Sequence, residues 1–212
     1  MIIVLTLVEF MCGSLMFSYW LGRFARKDLK MIGDGNPGAF NLWSAAGYKL
    51  GLAGVFLDFL KGYLPLVLFM ECRWVHGYGI VLIAAAPIAG HAFSPFLKFK
   101  GGKAIAVTFG VWSALTQFEV SLVYAIILAI LKLIFIQIRK SSPHQTSASQ
   151  TDAFQAVFGM LLLCGYLYLR YFSMPFFVIG CLNFLILCYT NKQKLAALLK
   201  DTAGRNKGNP LK

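Results

Sequence analysis

The sequence comprises 212 residues, of which 58% are hydrophobic and only 13% are charged, with a mean hydropathy of +0.69. A soluble domain carries about twice that share of charged residues and could not bury so much apolar surface. Lysine and arginine outnumber the acidic residues by 20 to 8. Because the apolar runs are long, this surplus indicates basic loops beside a lipid surface and argues against a nucleic-acid-binding protein.

Seven apolar runs follow one another along the chain, most of them close to the length of about 20 residues that a helix needs to cross a bilayer. The predicted spans are residues 2–22, 50–70, 77–94, 104–117, 119–138, 153–171 and 174–190. A merger of the fourth and fifth runs, which only residues 117–119 separate, would give six helices instead. The sequence therefore predicts an all-α polytopic membrane protein, with residues 1–212 forming a single transmembrane domain.

Basic residues gather in alternate loops, after the first, third, fifth and seventh runs, with Arg23, Lys103, Arg139 and Lys194 among them. Under the positive-inside rule these loops are cytoplasmic, which places the N-terminus outside and the C-terminus in the cytoplasm. Residues 139–152 are rich in serine and threonine and contain a proline, so we expect a flexible cytoplasmic linker there.

The first loop, defined as residues 33–41 (GDGNPGAFN), follows the first predicted span. Its three glycines allow tight turns that bring backbone N–H groups toward one anion, and Asn36 and Asn41 can add amide donors. An ordinary turn rich in glycine, asparagine and proline explains the same residues. On its own, the loop favours that simpler interpretation.

A histidine, three lysines and a Gly-Gly pair combine in the second loop, defined as residues 90–103 (GHAFSPFLKFKGGK), directly before a predicted helix start. Helix N-termini attract anions, glycines permit close approach, and Lys103 supplies a point charge. The loop lacks the spacing of a P-loop. Positive-inside charge alone would explain the lysines, but it would not explain their interleaving with phenylalanines beside His91.

Asp58 and Lys61 lie within the second predicted span. Residues three apart share a helix face, so the two charges can neutralise each other. Charges at such depth are costly and therefore indicate a functional site, although an ion pair that serves only the structure is the alternative.

Taken together, these residues resemble the acyl-phosphate-dependent glycerol-3-phosphate acyltransferase family of bacterial membranes. The resemblance covers most of the chain. It is carried, in order, by SYWLGR at residues 18–23, the first loop, the DxxKG pattern at residues 58–62 and the second loop. It implies a seven-helix fold with the N-terminus outside, which the charge pattern predicts independently.

The resemblance implies transfer of a fatty acyl group from acyl phosphate to glycerol 3-phosphate, which yields lysophosphatidic acid in phospholipid synthesis. It implies that Lys103, Gly101 and Gly102 bind phosphate, and that Asn36, Gly38 and Asn41 form the facing wall. His91 would orient the loop or relay a proton, so that Lys103, His91 and Asn41 make up the catalytic group. The other residues expected at the phosphate site are Asp34, Gly35, Ser44, Asp58, Lys61, Lys98, Lys100 and Lys194.

The expected partners are acyl phosphate, glycerol 3-phosphate and membrane lipid, with no nucleic acid, no cofactor and no metal. The expected state is a monomer in the bacterial cytoplasmic membrane. The chain departs from the family pattern, which usually has serine at Asp34, threonine at Phe40 and arginine at Ser44. Near the C-terminus, Lys194 stands close to the usual asparagine.

Those departures remove positive charge from a site for two phosphates and predict weaker anion binding by about 1 to 3 kcal/mol for each change. Two alternatives follow. The protein could be a divergent paralogue that acylates another polar acceptor, or a non-catalytic membrane protein that binds lipid phosphate. A small transporter is a further alternative that fits less well, because few polar residues interrupt the predicted spans.

Overall fold

The structure is a computed structural model that describes residues 1–141, 147–171 and 173–207, and within these ranges the chain folds into nine α-helices and two short 3₁₀ turns. The helices are α1 (Ile2–Ser14), α2 (Phe17–Phe24), α3 (Ala39–Ala46), α4 (Tyr48–Glu71), α5 (Gly79–Ala92), α6 (Ile105–Thr116), α7 (Glu119–Ser141), α8 (Ala148–Tyr171) and α9 (Met174–Lys207). Six segments of the described chain are long and apolar enough to cross a membrane, as in a multi-pass membrane protein.

The first predicted span, residues 2–22, is divided into two helices and is not one continuous helix. The chain is extended at Leu15, with φ −64° and ψ 116°, and helix α2 begins at Phe17. The break leaves the Leu15 carbonyl without a helical partner, and the ammonium of Lys61 donates a hydrogen bond to it. Met16, which is fully buried, packs at the break. A buried lysine thus compensates for the missing helical hydrogen bond.

The fourth and fifth predicted spans are separate helices, which excludes their merger. Gln117 and Phe118 adopt left-handed φ angles of 48° and 71° and turn the chain between α6 and α7. Helix α6 has 12 residues and is therefore about 18 Å long, shorter than the hydrocarbon core. It is well buried, with Val111 and Trp112 inaccessible to solvent. Because α6 is short, seven membrane crossings remain a prediction.

The predicted linker, residues 139–152, is helical at both ends. Helix α7 continues to Ser141 and α8 begins at Ala148, whereas residues 142–146 lie outside the described residues. Asp152 pairs with Lys132 across the two helices, with 2.6 Å between carboxylate and ammonium. Polar composition therefore did not distinguish a linker from exposed helix ends. Helix α9 likewise extends well beyond residue 190, where the last span was predicted to end.

Glycines allow close packing between two helix pairs of the bundle. A side chain at Gly13 would lie 2.2 Å from the Pro87 carbonyl oxygen, which fixes α1 against α5. A side chain at Gly110 would lie 2.2 Å from the Phe59 carbonyl oxygen, which fixes α6 against α4. Small residues give such close contacts between helices in membrane proteins, where dispersion replaces much of the hydrophobic driving force. These contacts hold α4, α5 and α6 in place around the polar residues described next.

Candidate functional site

The amide of Asn41, which is 1% exposed, holds the first loop together. Its nitrogen donates to the Ile32 carbonyl at 2.8 Å, and to Asp34 Oδ1 and the Asn36 carbonyl at 2.9 Å each. An amide nitrogen carries only two protons, so these three oxygens occupy it fully. The structure therefore gives the Asn41 amide nitrogen a scaffolding position, and a catalytic role for Asn41 stays a prediction.

Asn36 and the glycines of the first loop take the backbone shape that this scaffold requires. The backbone N–H of Asn36 donates to Asp34 Oδ1 at 3.1 Å. Gly35 has a left-handed φ of 71°, and Gly38 precedes helix α3. A side chain at Gly38 would lie 2.6 Å from the Asn36 amide nitrogen, so glycine leaves room for that amide. Asn36 is only partly exposed, and its side chain remains a predicted phosphate donor.

The Gly-Gly pair of the second loop packs against the end of α5. The N–H of Gly101 donates to the Ala92 carbonyl at 3.1 Å, and that of Gly102 donates to the His91 carbonyl at 3.0 Å. A side chain at Gly101 would lie 1.9 Å from the His91 carbonyl oxygen. These N–H groups satisfy the last carbonyls of α5, and the binding of phosphate at Gly101 and Gly102 stays a prediction. The glycines are needed for close approach to His91.

The two loops meet at one carboxylate oxygen, Asp34 Oδ2. Lys103, at the end of the second loop, lies 2.8 Å from this oxygen, and Lys194 of α9 forms a second ion pair with it. Ser149, near the start of α8, donates its hydroxyl at 3.2 Å. Three segments far apart in sequence thus direct hydrogen-bond donors to a single anionic atom. The prediction that the first and second loops come together is confirmed by this contact.

The Asp34 side chain is only 14% exposed, and the side chains of Lys103 and Lys194 are about a fifth exposed. Burial alone would raise the pKa of Asp34, but hydrogen bonds from Lys103 and Lys194 outweigh it and hold this pKa well below its usual range. Asp34 is therefore ionised at neutral pH. Two positive charges and one negative charge leave this cluster with a net charge of one positive unit.

Behind this surface cluster, a second polar group lies buried among α2, α4 and α5. The ammonium of Lys61 lies 2.8 Å from Asp58 Oδ1, which confirms the predicted ion pair. Ser18 donates to Asp58 Oδ2 at 2.6 Å. Lys61 also donates to His91 Nδ1 at 2.8 Å. Because an ammonium only donates, Nδ1 must accept, and the proton of a neutral His91 is on Nε2.

His91 Nε2 faces the second loop. It is the nearest atom, at 2.3 Å, to the position that a side chain on Gly102 would occupy. His91 itself is 4% exposed. The chain Asp58, Lys61, His91 therefore fixes one imidazole tautomer and directs its N–H toward the segment that carries Lys103.

Within the described part of the chain, three other predicted residues form no ion pair with this cluster. Lys98 and Lys100 are exposed on the second loop, where Lys98 adopts a left-handed φ of 55°. Ser44 donates to the Phe40 carbonyl of its own helix, α3, at 3.2 Å. Their predicted part in phosphate binding therefore lacks the direct contact with Asp34 that Lys103 and Lys194 make.

Sequence reasoning missed Ser149, Ser18 and the Leu15 carbonyl. Ser149 lies in a serine-rich segment where no single hydroxyl stands out. The carbonyl of Leu15 becomes available only because the first span breaks. Ser18 belongs to the SYWLGR pattern, which could have indicated it, but its partner Asp58 is 40 residues further along the chain.

A largely apolar cavity of about 800 Å³ lies between α4, α6 and α7. It follows the whole length of α6, from Ala106, three residues beyond Lys103, to Gln117 just after the helix ends. Its volume is within the range of small-molecule and cofactor sites, and its lining suits a hydrocarbon chain. Its apolar lining includes Leu52, Val55, Phe56, Phe59, Phe109 and Leu122.

Comparison with known proteins gives one family. The sequence model of the family described as Glycerol-3-phosphate acyltransferase matches residues 3–201. The chain is 40% identical over 197 residues to Glycerol-3-phosphate acyltransferase 1 of Thermotoga maritima, covering 91% of this chain and 95% of the relative. It is 30% identical over 206 residues to the Glycerol-3-phosphate acyltransferase of Fusobacterium nucleatum, covering 97% and 96%.

Two solved structures share the fold, with a TM-score of 0.77 and 22% identity over 94% of this chain and 92% of theirs. Both are of PlsY, described as an integral membrane glycerol 3-phosphate acyltransferase. One is its glycerol 3-phosphate form and the other its lysophosphatidic acid form.

Proposed function

The chain belongs to the glycerol-3-phosphate acyltransferase family, and from that premise we propose how it transfers a fatty acyl group to glycerol 3-phosphate to make lysophosphatidic acid. The acyl donor is acyl phosphate. The single observation that carries the proposal is the convergence of Lys103 and Lys194 on one carboxylate oxygen. Lys103 is three residues before Ala106, where the lining of a cavity suited to an acyl chain begins.

Phosphate recognition comes from the lysines. Lys103 and Lys194 are within reach of one anionic atom, so both can contact one phosphate group and neutralise its charge. Asn36 adds an amide donor from the facing wall. The backbone N–H groups at the start of α6 lie just beyond Lys103 and favour negative charge there.

The acyl chain lies in the cavity between α4, α6 and α7. The cavity lining begins at Ala106, three residues beyond Lys103, which supports a position for the acyl carbonyl near Lys103, with the acyl chain and the phosphate head held by adjacent segments. Holding both substrates in one orientation supplies much of the rate acceleration, because the reaction between them becomes effectively intramolecular.

In the reaction, the sn-1 hydroxyl oxygen attacks the acyl carbonyl carbon, and an ester C–O bond forms. The bond between that carbon and the phosphate oxygen breaks, and inorganic phosphate leaves carrying the bonding electron pair. The hydroxyl proton passes to a phosphate oxygen. Lysine stabilises the negative charge that develops, while His91 Nε2–H, held by Lys61, is directed toward this side and donates to the developing oxyanion.

The membrane arrangement is part of the same proposal. The basic loops lie in the cytoplasm, the N-terminus is outside, and the chain crosses the bacterial plasma membrane seven times as a monomer. Support comes from the contact of the first loop, the second loop, the start of α8 and the later part of α9 at one end of the bundle. With seven crossings, two crossings separate each of these segments from the next, which puts all four on the same side.

The test is an assay of purified protein with palmitoyl phosphate and glycerol 3-phosphate, with lysophosphatidic acid as the measured product. Lys103→Ala is expected to lose about a hundredfold or more in rate. Lys49→Ala, which removes an exposed lysine in the first turn of α4, outside both loops, is the control and should retain most activity. Equal rates for wild type and Lys103→Ala would contradict the proposal. That result would fit either alternative: a protein that acylates another acceptor, or one that binds lipid phosphate without turnover.

A further inference from the structure

Asp34 is a carboxylate at the centre of a site for anions. Its two oxygens have separate tasks. Oδ1 accepts from Asn41 and from the N–H of Asn36 and so belongs to the fold of the first loop. Oδ2 points away from that loop and accepts from Lys103, Lys194 and Ser149.

The surroundings of Oδ2 match those of a phosphate oxygen. Two ammonium groups and a hydroxyl reach it from three different segments, with the lysines contributing full positive charges. None of these donors is needed to shape the first loop, because Oδ1 and Asn41 already hold it. The donors are therefore arranged around an anion, and in this structure that anion is Asp34.

Because of their charges, the Asp34 carboxylate and a phosphate cannot both bind the two lysines at the same time. With Asp34 bound, the pair of lysines has a net charge of one positive unit, which is too little for a phosphate dianion. A phosphate placed beside the bound carboxylate would bring like charges together at hydrogen-bond distance, where they repel. Phosphate can bind both lysines only when their ion pairs with Asp34 Oδ2 break.

We propose that Asp34 is a specificity-determining residue that acts as a tethered anion: it occupies the two lysines until the phosphate of a substrate displaces it. This inference rests on the proposed function, because it names the competitor at the proposed phosphate site. It makes substrate binding an anion exchange. Asp34 therefore raises the KM for glycerol 3-phosphate and selects for dianionic phosphates over weaker monoanions, which cannot replace a carboxylate held by two lysines.

The test compares wild type with Asp34→Asn by calorimetric titration of the detergent-purified protein with inorganic phosphate. Asparagine keeps an oxygen for Asn36 and Asn41 but places no charge against the lysines. The variant is expected to bind phosphate about tenfold more tightly and to show a similarly lower KM for glycerol 3-phosphate. Asp152→Asn is the matched control, because it removes one carboxylate from an exposed pair with Lys132 and should leave phosphate affinity unchanged.

A carboxylate that only positions the lysines would give the opposite result, since its loss would weaken phosphate binding. Weaker or unchanged binding in Asp34→Asn would overturn the inference. Asp34→Ser is measured alongside, because its short hydroxyl cannot take the place of Oδ2, and it should bind more tightly too. If both variants bind phosphate more tightly but neither they nor wild type make lysophosphatidic acid, the tethered anion stands and the acyltransfer proposal fails.

Discussion

Lys61 Nζ lies 2.8 Å from His91 Nδ1, although 30 residues separate them in the chain. The same ammonium forms an ion pair with Asp58 and donates a hydrogen bond to the carbonyl of Leu15. The lysine thereby joins α4, α5 and the break between α1 and α2. These contacts explain why the second span can contain the charge of Lys61: each contact fixes a different part of the site.

Loss of either charge of the Asp58–Lys61 pair should strongly destabilise the protein. Asp58→Leu or Lys61→Met alone leaves a buried charge without its partner, and we expect a loss of about 3 to 5 kcal/mol in the free energy of unfolding. The double variant should lose much less than the sum, because no unpaired charge remains. Denaturant or thermal unfolding in detergent measures this cycle. Additive losses would mean that the two charges are not coupled.

Gly102→Ala should displace His91. The new Cβ would lie 2.3 Å from His91 Nε2, well inside any permitted contact, so the imidazole must move away from the second loop. We expect kcat for lysophosphatidic acid formation to fall about a hundredfold, the scale of losing one oriented donor. Gly165→Ala is the matched control, because nothing lies within 4 Å of that Cβ position in α8. A Gly102→Ala enzyme with unchanged kcat would remove His91 from the proposed mechanism.

Phe118 should limit the length of the acyl chain. Its ring lies 5.5 Å from the Tyr63 ring and 6.4 Å from the Phe59 ring, between centroids, at the Gln117 end of the cavity. Phe118→Ala opens that end, so the ratio of kcat/KM for stearoyl phosphate to that for palmitoyl phosphate should rise several-fold. Tyr78→Ala, an exposed aromatic outside the cavity lining, is the control. An unchanged ratio in Phe118→Ala would place the acyl chain elsewhere.

Glu9→Leu should stabilise the protein. Glu9 is 0% exposed within α1, and among the described residues neither of its carboxyl oxygens has a hydrogen-bond partner. An unsatisfied buried polar group costs about 1 to 3 kcal/mol, and leucine removes that cost. The thermal midpoint in detergent should therefore increase. Glu71→Leu, at the exposed end of α4, should change it little. A lower midpoint for Glu9→Leu would indicate that the carboxyl has a stabilising partner.

Much of the helix pattern could be predicted from the sequence, because apolar length and charged loops are local properties. The division between α6 and α7 is one example. The polar residues around 117 marked it, and the structure places a left-handed turn there. No polar segment indicated the break between α1 and α2, since residues 2–22 are almost uniformly apolar. It depends on Lys61, a residue of another helix, which supplies the hydrogen bond that the break requires.

The candidate site was likewise predicted only in part from the sequence. The residue types of the first and second loops indicated anions, but they could not show which N–H groups were free. Those of Gly101, Gly102 and Asn41 are used within the fold, whereas Lys103 and Lys194 reach a common point. Ser149 joins them from a segment predicted to be a linker. Hydrogen-bond partners are set by three-dimensional neighbours, which sequence spacing does not contain.

The amino-acid sequence by itself determined that this chain is a helical membrane protein with basic loops, because composition and hydrophobic length decide how a chain partitions between water and lipid. It also carried the motifs of the family. Only the tertiary structure decided that Asp34 holds Lys103 and Lys194 and that Lys61 holds His91. The physical reason is distance: a charge acts on the groups packed around it, and these groups come from parts of the chain that folding alone brings together.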